Sequence, residues 1–131
     1  MAAIKGRDTK LELTVRKFLW SEGYRYRLHD PRLPGKPDIV FRVKHKVIFV
    51  HGCYWHRHEN CKYAYHPKSN TEFWERKFAR NVERDIEVRE ALNKLGWHFF
   101  IVWGCELKEP SSVFSRMIKF LNDSSPPAKS P

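Results

Sequence analysis

The sequence of 131 residues contains no apolar run approaching the roughly 18 residues that a membrane-spanning helix needs. Its N-terminal residues lack the apolar stretch and the small-residue cleavage site of a signal peptide, so we expect a protein that is not secreted. It has only three cysteines, Cys53, Cys61 and Cys105, and an odd number makes a poor disulfide framework. In a reducing compartment, cysteines close to histidines are more typical of metal ligands or buried thiols.

Acidic residues are also in short supply. Asp and Glu number 15 against 25 Lys and Arg, which gives a net charge of +10 and a pI near 9.7. Hydrophobic residues make up 41% and aromatic residues 15%, which is too much for a disordered basic tail. A folded domain with this charge favours a polyanionic partner, of which nucleic acid is the commonest.

The first half of the chain predicts a helix followed by three strands. Thr9 and Glu12 have the spacing of a capping box, apolar residues follow at helical spacing, and Gly23 ends the helix. Alternation over residues 24–28 predicts a half-exposed strand. Three prolines and a glycine make residues 29–37 a loop. Two β-branched runs, 39–41 and 47–50, then predict a hairpin.

The second half begins with a long loop, residues 51–70, without periodicity. We expect Thr71 to cap a long helix that carries Phe73, Phe78, Val82, Ile86, Leu92 and Leu95 and ends at Gly96. The apolar run from Trp97 to Trp103 predicts a central strand, and Pro110 fits the first turn of a last helix. The fold class is therefore α/β, a single domain over 1–123 with a mixed sheet between helices, followed by a disordered Pro/Ser tail over 124–131.

Asp38 follows Pro37 at the mouth of the predicted hairpin. A carboxylate in this position suits Mg²⁺, which binds one or two protein oxygens and keeps waters for a substrate phosphate. A Pro-Asp pair before a strand is also common turn chemistry. These residues alone leave both interpretations open.

The loop after the hairpin concentrates histidine and cysteine. Zinc bound by Cys53, His58 and Cys61 would need a fourth ligand, and Cys105 is the only other cysteine in the chain. The alternative is a set of reduced, buried thiols. His51 and His56 then remain for proton transfer near Asp38, or as two solvent-exposed loop residues.

Aromatic residues are placed next to cations in two segments. Tyr54 and Trp55 precede His56-Arg57, and Phe73 and Trp74 precede a basic stretch. Such rings can stack on bases or wedge into a duplex. Helical phase turns one residue of the Phe73–Trp74 pair toward the core, which leaves only the other for DNA.

Together these residues resemble the very short patch repair (Vsr) endonucleases, bacterial enzymes that nick DNA at T:G mismatches. The resemblance covers nearly the whole chain before the tail. Its carriers are Arg7-Asp8-Thr9-Lys10-Leu11-Glu12, Leu33-Pro34-Gly35-Lys36-Pro37-Asp38, His51-Gly52-Cys53-Tyr54-Trp55-His56, Thr71-Glu72-Phe73-Trp74, Asn81-Val82-Glu83-Arg84-Asp85, and Leu95-Gly96-Trp97 through Trp103 to Cys105.

The resemblance implies a core similar to that of restriction endonucleases and a site residue by residue. Asp38 matches the Mg²⁺-binding aspartate, and the backbone carbonyl of Val50, at a family threonine position, would be a second contact. His51 and His56 match the catalytic histidines, and Glu12 a supporting glutamate. The implied structural zinc ligands are Cys53, His58, Cys61 and Cys105, and the implied DNA contacts are Tyr54, Trp55, Trp74, Lys77 and Asn81.

The resemblance further implies a monomer in the bacterial cytoplasm, associated with the nucleoid and acting before other repair proteins. Its substrate would be double-stranded DNA with a T:G mismatch, and no membrane would be involved. Two alternatives remain at this point. One is a related zinc-containing nuclease with a different or relaxed DNA target, and the other is a non-catalytic DNA-binding module.

Overall fold

The computed structural model describes residues 9–123, and the predicted order of helices and strands is confirmed. The elements are α1 (Lys10–Ser21), β1 (Arg27–Leu28), β2 (Ile39–Phe41), β3 (Lys46–His51), α2 (Thr71–Lys94), β4 (His98–Trp103), a 3₁₀ turn (Gly104–Lys108) and α3 (Pro110–Asn122). The motif residues Arg7 and Asp8 and the predicted tail 124–131 lie outside the described residues. None of the described helices is long and apolar enough to cross a membrane.

The four strands form one mixed sheet in the order β1-β2-β3-β4. The predicted hairpin is present, with Ile39 opposite Ile48 in an antiparallel pair. β4 pairs in parallel with β3, from His98 opposite Lys46 to Trp103 opposite His51. A parallel neighbour needs a crossover connection, and α2 is that crossover.

Two details of the sheet differ from the prediction. β4 lies at the edge of the described sheet rather than at its centre. Its apolar run is explained instead by helices on both faces, because Phe100 and Val102 pack into one core cluster and Phe99 and Ile101 into the other. The strand predicted over 24–28 is also shorter, since only Arg27 and Leu28 pair with β2.

The two helix starts behave differently. Thr9 caps α1 as predicted, and its hydroxyl accepts a hydrogen bond from the Glu12 N–H at 3.2 Å. The prediction that Thr71 caps α2 is wrong, because Thr71 is already the first helical residue and Asn70 precedes it in a left-handed conformation, φ 54°. The predicted apolar residues of α2 are only partly buried. Phe78 and Leu92 are buried, whereas Phe73, Ile86 and Leu95 are exposed.

Alternating strand residues divide the core between the two faces of the sheet. Residues of α1 and α3 pack with Ile39, Ile48 and Val102 on one face. Leu92 of α2 packs with Val40 and Val47 on the other. This three-layer arrangement leaves the start of β2 and the end of β3 side by side at one end of the sheet.

Candidate active site, metal centre and nucleic-acid interface

A cleft of about 1120 Å³ opens where β2 begins and β3 ends. Because these strands are antiparallel neighbours, Asp38 and His51 lie at the same end of the sheet. α1 contributes Glu12 to the wall, and α2 contributes Asn81 and Asp85. The residues predicted for Mg²⁺ binding and those predicted for proton transfer therefore line the same cavity.

Asp38 is held at the strand end by the backbone of the neighbouring strand. The Val50 N–H donates to Asp38 Oδ2 at 2.7 Å, which fixes the carboxylate. Burial raises the pKa of Asp38 from 3.8 to about 7; the hydrogen bond from Val50 opposes this rise and the nearby Glu12 carboxylate adds to it. Two carboxylates in a partly desolvated cleft favour a proton or a cation between them.

His29 joins these carboxylates, and the sequence analysis did not identify it. Its Nε2 lies 3.0 Å from Glu12 Oε2 and 3.9 Å from Asp38 Oδ1. The pattern placed His29 at the start of a loop, and only the pairing of β1 with β2 brings it to Asp38. Glu12 is 3% exposed and also accepts a hydrogen bond from Arg16 at 2.9 Å.

His51 and His56 lie together, as predicted, and Asp85 of α2 completes a second group. The two rings are stacked with centroids 3.7 Å apart, and His56 Nδ1 lies 2.7 Å from Asp85 Oδ2. Burial, with a smaller contribution from His56, lowers the pKa of His51 to about 3. His51 is therefore neutral at physiological pH. Asp85 ends the sequence motif that starts at Asn81, and the motif alone indicates no role for it.

The predicted metal-ligand set converges beyond the cleft, where the loop after β3 meets the 3₁₀ turn after β4. Donor atoms of Cys53, His58, Cys61 and Cys105 all lie within 4.8 Å of one another. Cys105 Sγ is 3.4 Å from His58 Nδ1, and the Cys105 N–H donates to Cys53 Sγ at 3.3 Å. This closed set of three thiols and one imidazole can hold a metal ion, and it is the donor type of structural zinc sites.

The electrostatics of this cluster also favour a cation. Burial and the neighbouring thiols of Cys53 and Cys61 raise the pKa of Cys105 to about 12. Thiolates this close repel one another unless a positive ion neutralises them, and a bound ion reverses the shift. Cys53 belongs to the same loop as Tyr54 and Trp55, so the cluster fixes the segment that carries those rings.

The aromatic residues form a cluster between this loop and α2, which we call the aromatic cluster: Tyr54, Trp55, Trp74 and Phe78. Trp55 and Trp74 have ring centroids 5.7 Å apart. Lys77 Nζ lies 5.3 Å from the centroid of the Trp55 ring, and Asn81 Nδ2 donates to the Trp55 carbonyl at 3.2 Å. Phe78 had not been predicted as part of this surface.

Among the described residues, neither Phe73 nor Trp74 belongs to the hydrophobic core clusters, so the expectation that one of the pair turns into the core is wrong. Trp74 is half-buried and contacts Tyr54, Trp55 and Phe78, whereas Phe73 is 51% exposed. Trp74 is thus a partly exposed member of the aromatic cluster. Cations surround the same cleft: Lys36, Lys77, Arg84 and Arg89 line it. A negatively charged backbone with bases that can be stacked fits such a surface.

Comparison with known proteins agrees with this chemistry. Residues 1–62 match the family model described as DNA mismatch endonuclease Vsr. The chain is 43% identical over 123 residues to the Type II nicking enzyme V.NmeAIP of Neisseria meningitidis, covering 94% of this chain and 87% of that protein. It is 41% identical to the Type II nicking enzyme V.XorIIP of Xanthomonas oryzae pv. oryzae, covering 95% and 90%. It is 44% identical over 108 residues to the DNA mismatch endonuclease Vsr of Escherichia coli, covering 82% and 69%.

Proposed function

The chain belongs to the family of Vsr DNA mismatch endonucleases, and we propose that it is a magnesium-dependent enzyme that nicks one DNA strand 5′ to the mispaired thymine of a T:G mismatch. Family membership makes it a DNA endonuclease, a hydrolase acting on DNA. The mismatch, the ion and the roles of individual residues are the proposal. The observation that carries it is the convergence of Asp38, the His51–His56–Asp85 group and Trp55 of the aromatic cluster on one cleft.

Asp38 would hold the ion, with the Val50 carbonyl as a second contact and Glu12 close by. The donor set fits a hard divalent cation, because the buried Glu12 and the partly buried Asp38 supply carboxylate oxygens and a surplus of negative charge. When bound, Mg²⁺ supplies positive charge that stabilises the negative charge developing on the phosphate. The Val50 N–H keeps one Asp38 oxygen in place before any ion or substrate arrives.

His56 is suited to take the proton from the attacking water. Asp85 accepts a hydrogen bond from His56 Nδ1, so the lone pair of the neutral His56 ring lies on Nε2. The water oxygen bonds to phosphorus, the bond from phosphorus to the 3′ oxygen breaks, and that oxygen receives a proton. The products are a 3′-hydroxyl and a 5′-phosphate. Neutral His51 stacks on the ring of His56, the general base, and so supports it. His51 can also hydrogen-bond the phosphate.

The aromatic cluster would open the duplex at the mismatch. Tyr54, Trp55 and Trp74 would insert beside the mispaired bases, and Lys77 and Asn81 would contact them. A mispaired T:G step costs less to unstack than a paired step, so the insertion itself favours the mismatch. In this proposal the ion held by Cys53, His58, Cys61 and Cys105 is zinc, and its role is to keep the Tyr54–Trp55 segment rigid.

A nicking assay with labelled duplexes that are identical except for one base pair tests this function. We expect nicking of a T:G duplex with Mg²⁺ and little nicking of the T:A duplex. Equal cutting of both duplexes would favour a nuclease with a relaxed or different target. Binding without cleavage of either would favour a DNA-binding module. Either of these results would contradict the proposal.

A further inference from the structure

His29 lies where the pairing of β1 with β2 continues past the last strand residues. Leu28 pairs with Ile39, and the next backbone hydrogen bond runs from the His29 N–H to the Asp38 carbonyl at 3.3 Å. The sheet register therefore places the His29 side chain beside Asp38. The residue has φ 47°, a left-handed conformation that histidine adopts more readily than most residues.

Three donor atoms meet at this point of the cleft: an imidazole nitrogen and two carboxylate oxygens. His29, Glu12 and Asp38 offer donors that all lie within 4.8 Å of one another. The side chains of His29 and Asp38 are each 15% exposed, and that of Glu12 is 4% exposed. The group is therefore enclosed on the protein side and open only toward the cleft.

The spacing of these atoms suits a shared ion. Donors about 2.1 Å from an octahedral metal are ~3 Å apart when adjacent and ~4.2 Å apart when opposite. The His29 Nε2 distances of 3.0 Å to Glu12 Oε2 and 3.9 Å to Asp38 Oδ1 lie within that span. An ion held by the two carboxylates would thus have the imidazole within coordinating reach.

We propose that His29 is a ligand of the active-site metal ion in this chain, and that the resulting centre of one nitrogen and two carboxylates binds Mn²⁺ in preference to Mg²⁺. The proposal rests on the divalent-ion dependence of the function proposed above, and it adds a ligand and an ion preference to that site. Mg²⁺ is a hard ion that takes oxygen ligands, whereas Mn²⁺ also suits carboxylates but, as a first-row transition metal, accepts a nitrogen ligand beside them. Without the His29 nitrogen, the two carboxylates would favour Mn²⁺ over Mg²⁺ much less.

Metal binding to the DNA-free protein tests the proposal without reference to activity. We expect wild-type protein to bind Mn²⁺ at least tenfold more tightly than Mg²⁺ in calorimetric titrations. His29→Gln keeps a polar side chain of similar reach but offers oxygen in place of imidazole nitrogen. It should weaken Mn²⁺ binding at least tenfold and Mg²⁺ binding less than threefold. His66→Gln, at an exposed histidine outside the cleft, is the matched control and should change neither.

Pulsed electron paramagnetic resonance of bound Mn²⁺ identifies the ligand directly. The wild-type protein should show coupling to one imidazole ¹⁴N, and His29→Gln should lose it. His29→Asn, which tolerates the left-handed backbone but is too short to coordinate, should lose it as well, so a folding defect in one variant does not decide the result. Coupling that persists in both variants would assign the nitrogen to His51 or His56 and overturn the proposal. Unchanged Mn²⁺ affinity would overturn it too.

Failure of this inference can be told apart from failure of the proposed function. If His29 is not a ligand, the variants keep wild-type Mn²⁺ affinity while the T:G duplex is still nicked. If the proposed function is wrong, the wild-type protein does not nick that duplex with either ion, whatever its metal affinity.

Discussion

The imidazole rings of His51 and His56 stack face to face, with centroids 3.7 Å apart and planes 4° from parallel. His51 is 7% exposed, and within the described residues its Nδ1 is buried without a hydrogen-bond partner. Burial keeps the His51 ring neutral, and the Asp85 carboxylate lies beside His56. We therefore expect His51 to stay neutral while His56, next to Asp85, takes the proton.

Replacing Asp85 by Asn should lower the nicking rate by roughly a hundredfold or more. The amide no longer stabilises the imidazolium that forms when His56 takes a proton, and it can favour the wrong tautomer. Single-turnover nicking with saturating enzyme measures the effect on the chemical step. Glu87→Gln, at an exposed position of the same helix, should nick at the wild-type rate. Normal nicking by Asp85→Asn would remove this pair from the mechanism.

Asp38→Asn should abolish nicking while DNA binding is kept or strengthened, because the change removes a metal carboxylate and a negative charge near phosphate. Nicking rates and filter-binding or anisotropy titrations in the same buffer measure both effects. Activity above a tenth of wild type would contradict Asp38 as the principal ligand.

The same variant has a pH-dependent effect on stability. Burial raises the pKa of Asp38 from 3.8 to about 7, so the folded protein holds this proton more tightly than the unfolded chain does. The folding free energy that Asp38 costs therefore grows as pH rises through that window and is fully present above it. In magnesium-free buffer, Asp38→Asn should be more stable than wild type at pH 8, on the order of 2 kcal/mol. The gain should shrink at pH 5, as urea unfolding at both pH values would show; an equal gain at both would contradict the raised pKa.

The cysteine cluster should contain one equivalent of zinc per chain that survives dialysis. Cys105→Ser should lower the melting temperature by about 10 °C or more, because a closed metal site contributes folding free energy. Elemental analysis and thermal unfolding provide the two measurements. Glu59→Gln, an exposed change in the same loop, should leave both unchanged. A zinc-free protein that is folded and active would contradict this role.

Trp55→Ala should reduce T:G nicking at least tenfold more than it reduces binding to fully paired duplex. Non-specific binding depends on the +10 net charge and on salt, whereas mismatch opening depends on the ring. Trp74→Ala should act in the same direction, because Trp74 contacts Trp55 within the aromatic cluster. Ile86→Ala, at an exposed apolar position of the same helix outside the aromatic cluster and the cleft, is the control. Wild-type nicking by both tryptophan variants would rule out the wedge.

Features that depend on short-range pattern were predictable from the sequence. The Thr9 cap, the hairpin that presents Asp38, and the clustered cysteines and histidines each follow from spacing along the chain. His29 and Asp85 were missed because their roles depend on partners brought close only by folding. His56 and Asp85 are 29 residues apart in sequence, and no local pattern indicates that they meet.

The errors in the fold have a related cause. An apolar run such as Trp97 to Trp103 indicates burial on both faces, but it does not distinguish neighbouring strands from covering helices. β4 is covered by helices and lies at the edge of the described sheet. The predicted cap of α2, Thr71, is one residue too late. Asn70 precedes the helix in a left-handed conformation, which the sequence pattern does not indicate.

The most direct measurement of the central claim uses a T:G duplex carrying a different label on each strand, with Mg²⁺ and excess enzyme. The account predicts a single nick 5′ to the mispaired thymine, confined to the thymine strand, with ends that DNA ligase can reseal because they are a 3′-hydroxyl and a 5′-phosphate. Cleavage of both strands, nicking that ignores the mismatch, or ends that cannot be resealed would contradict it.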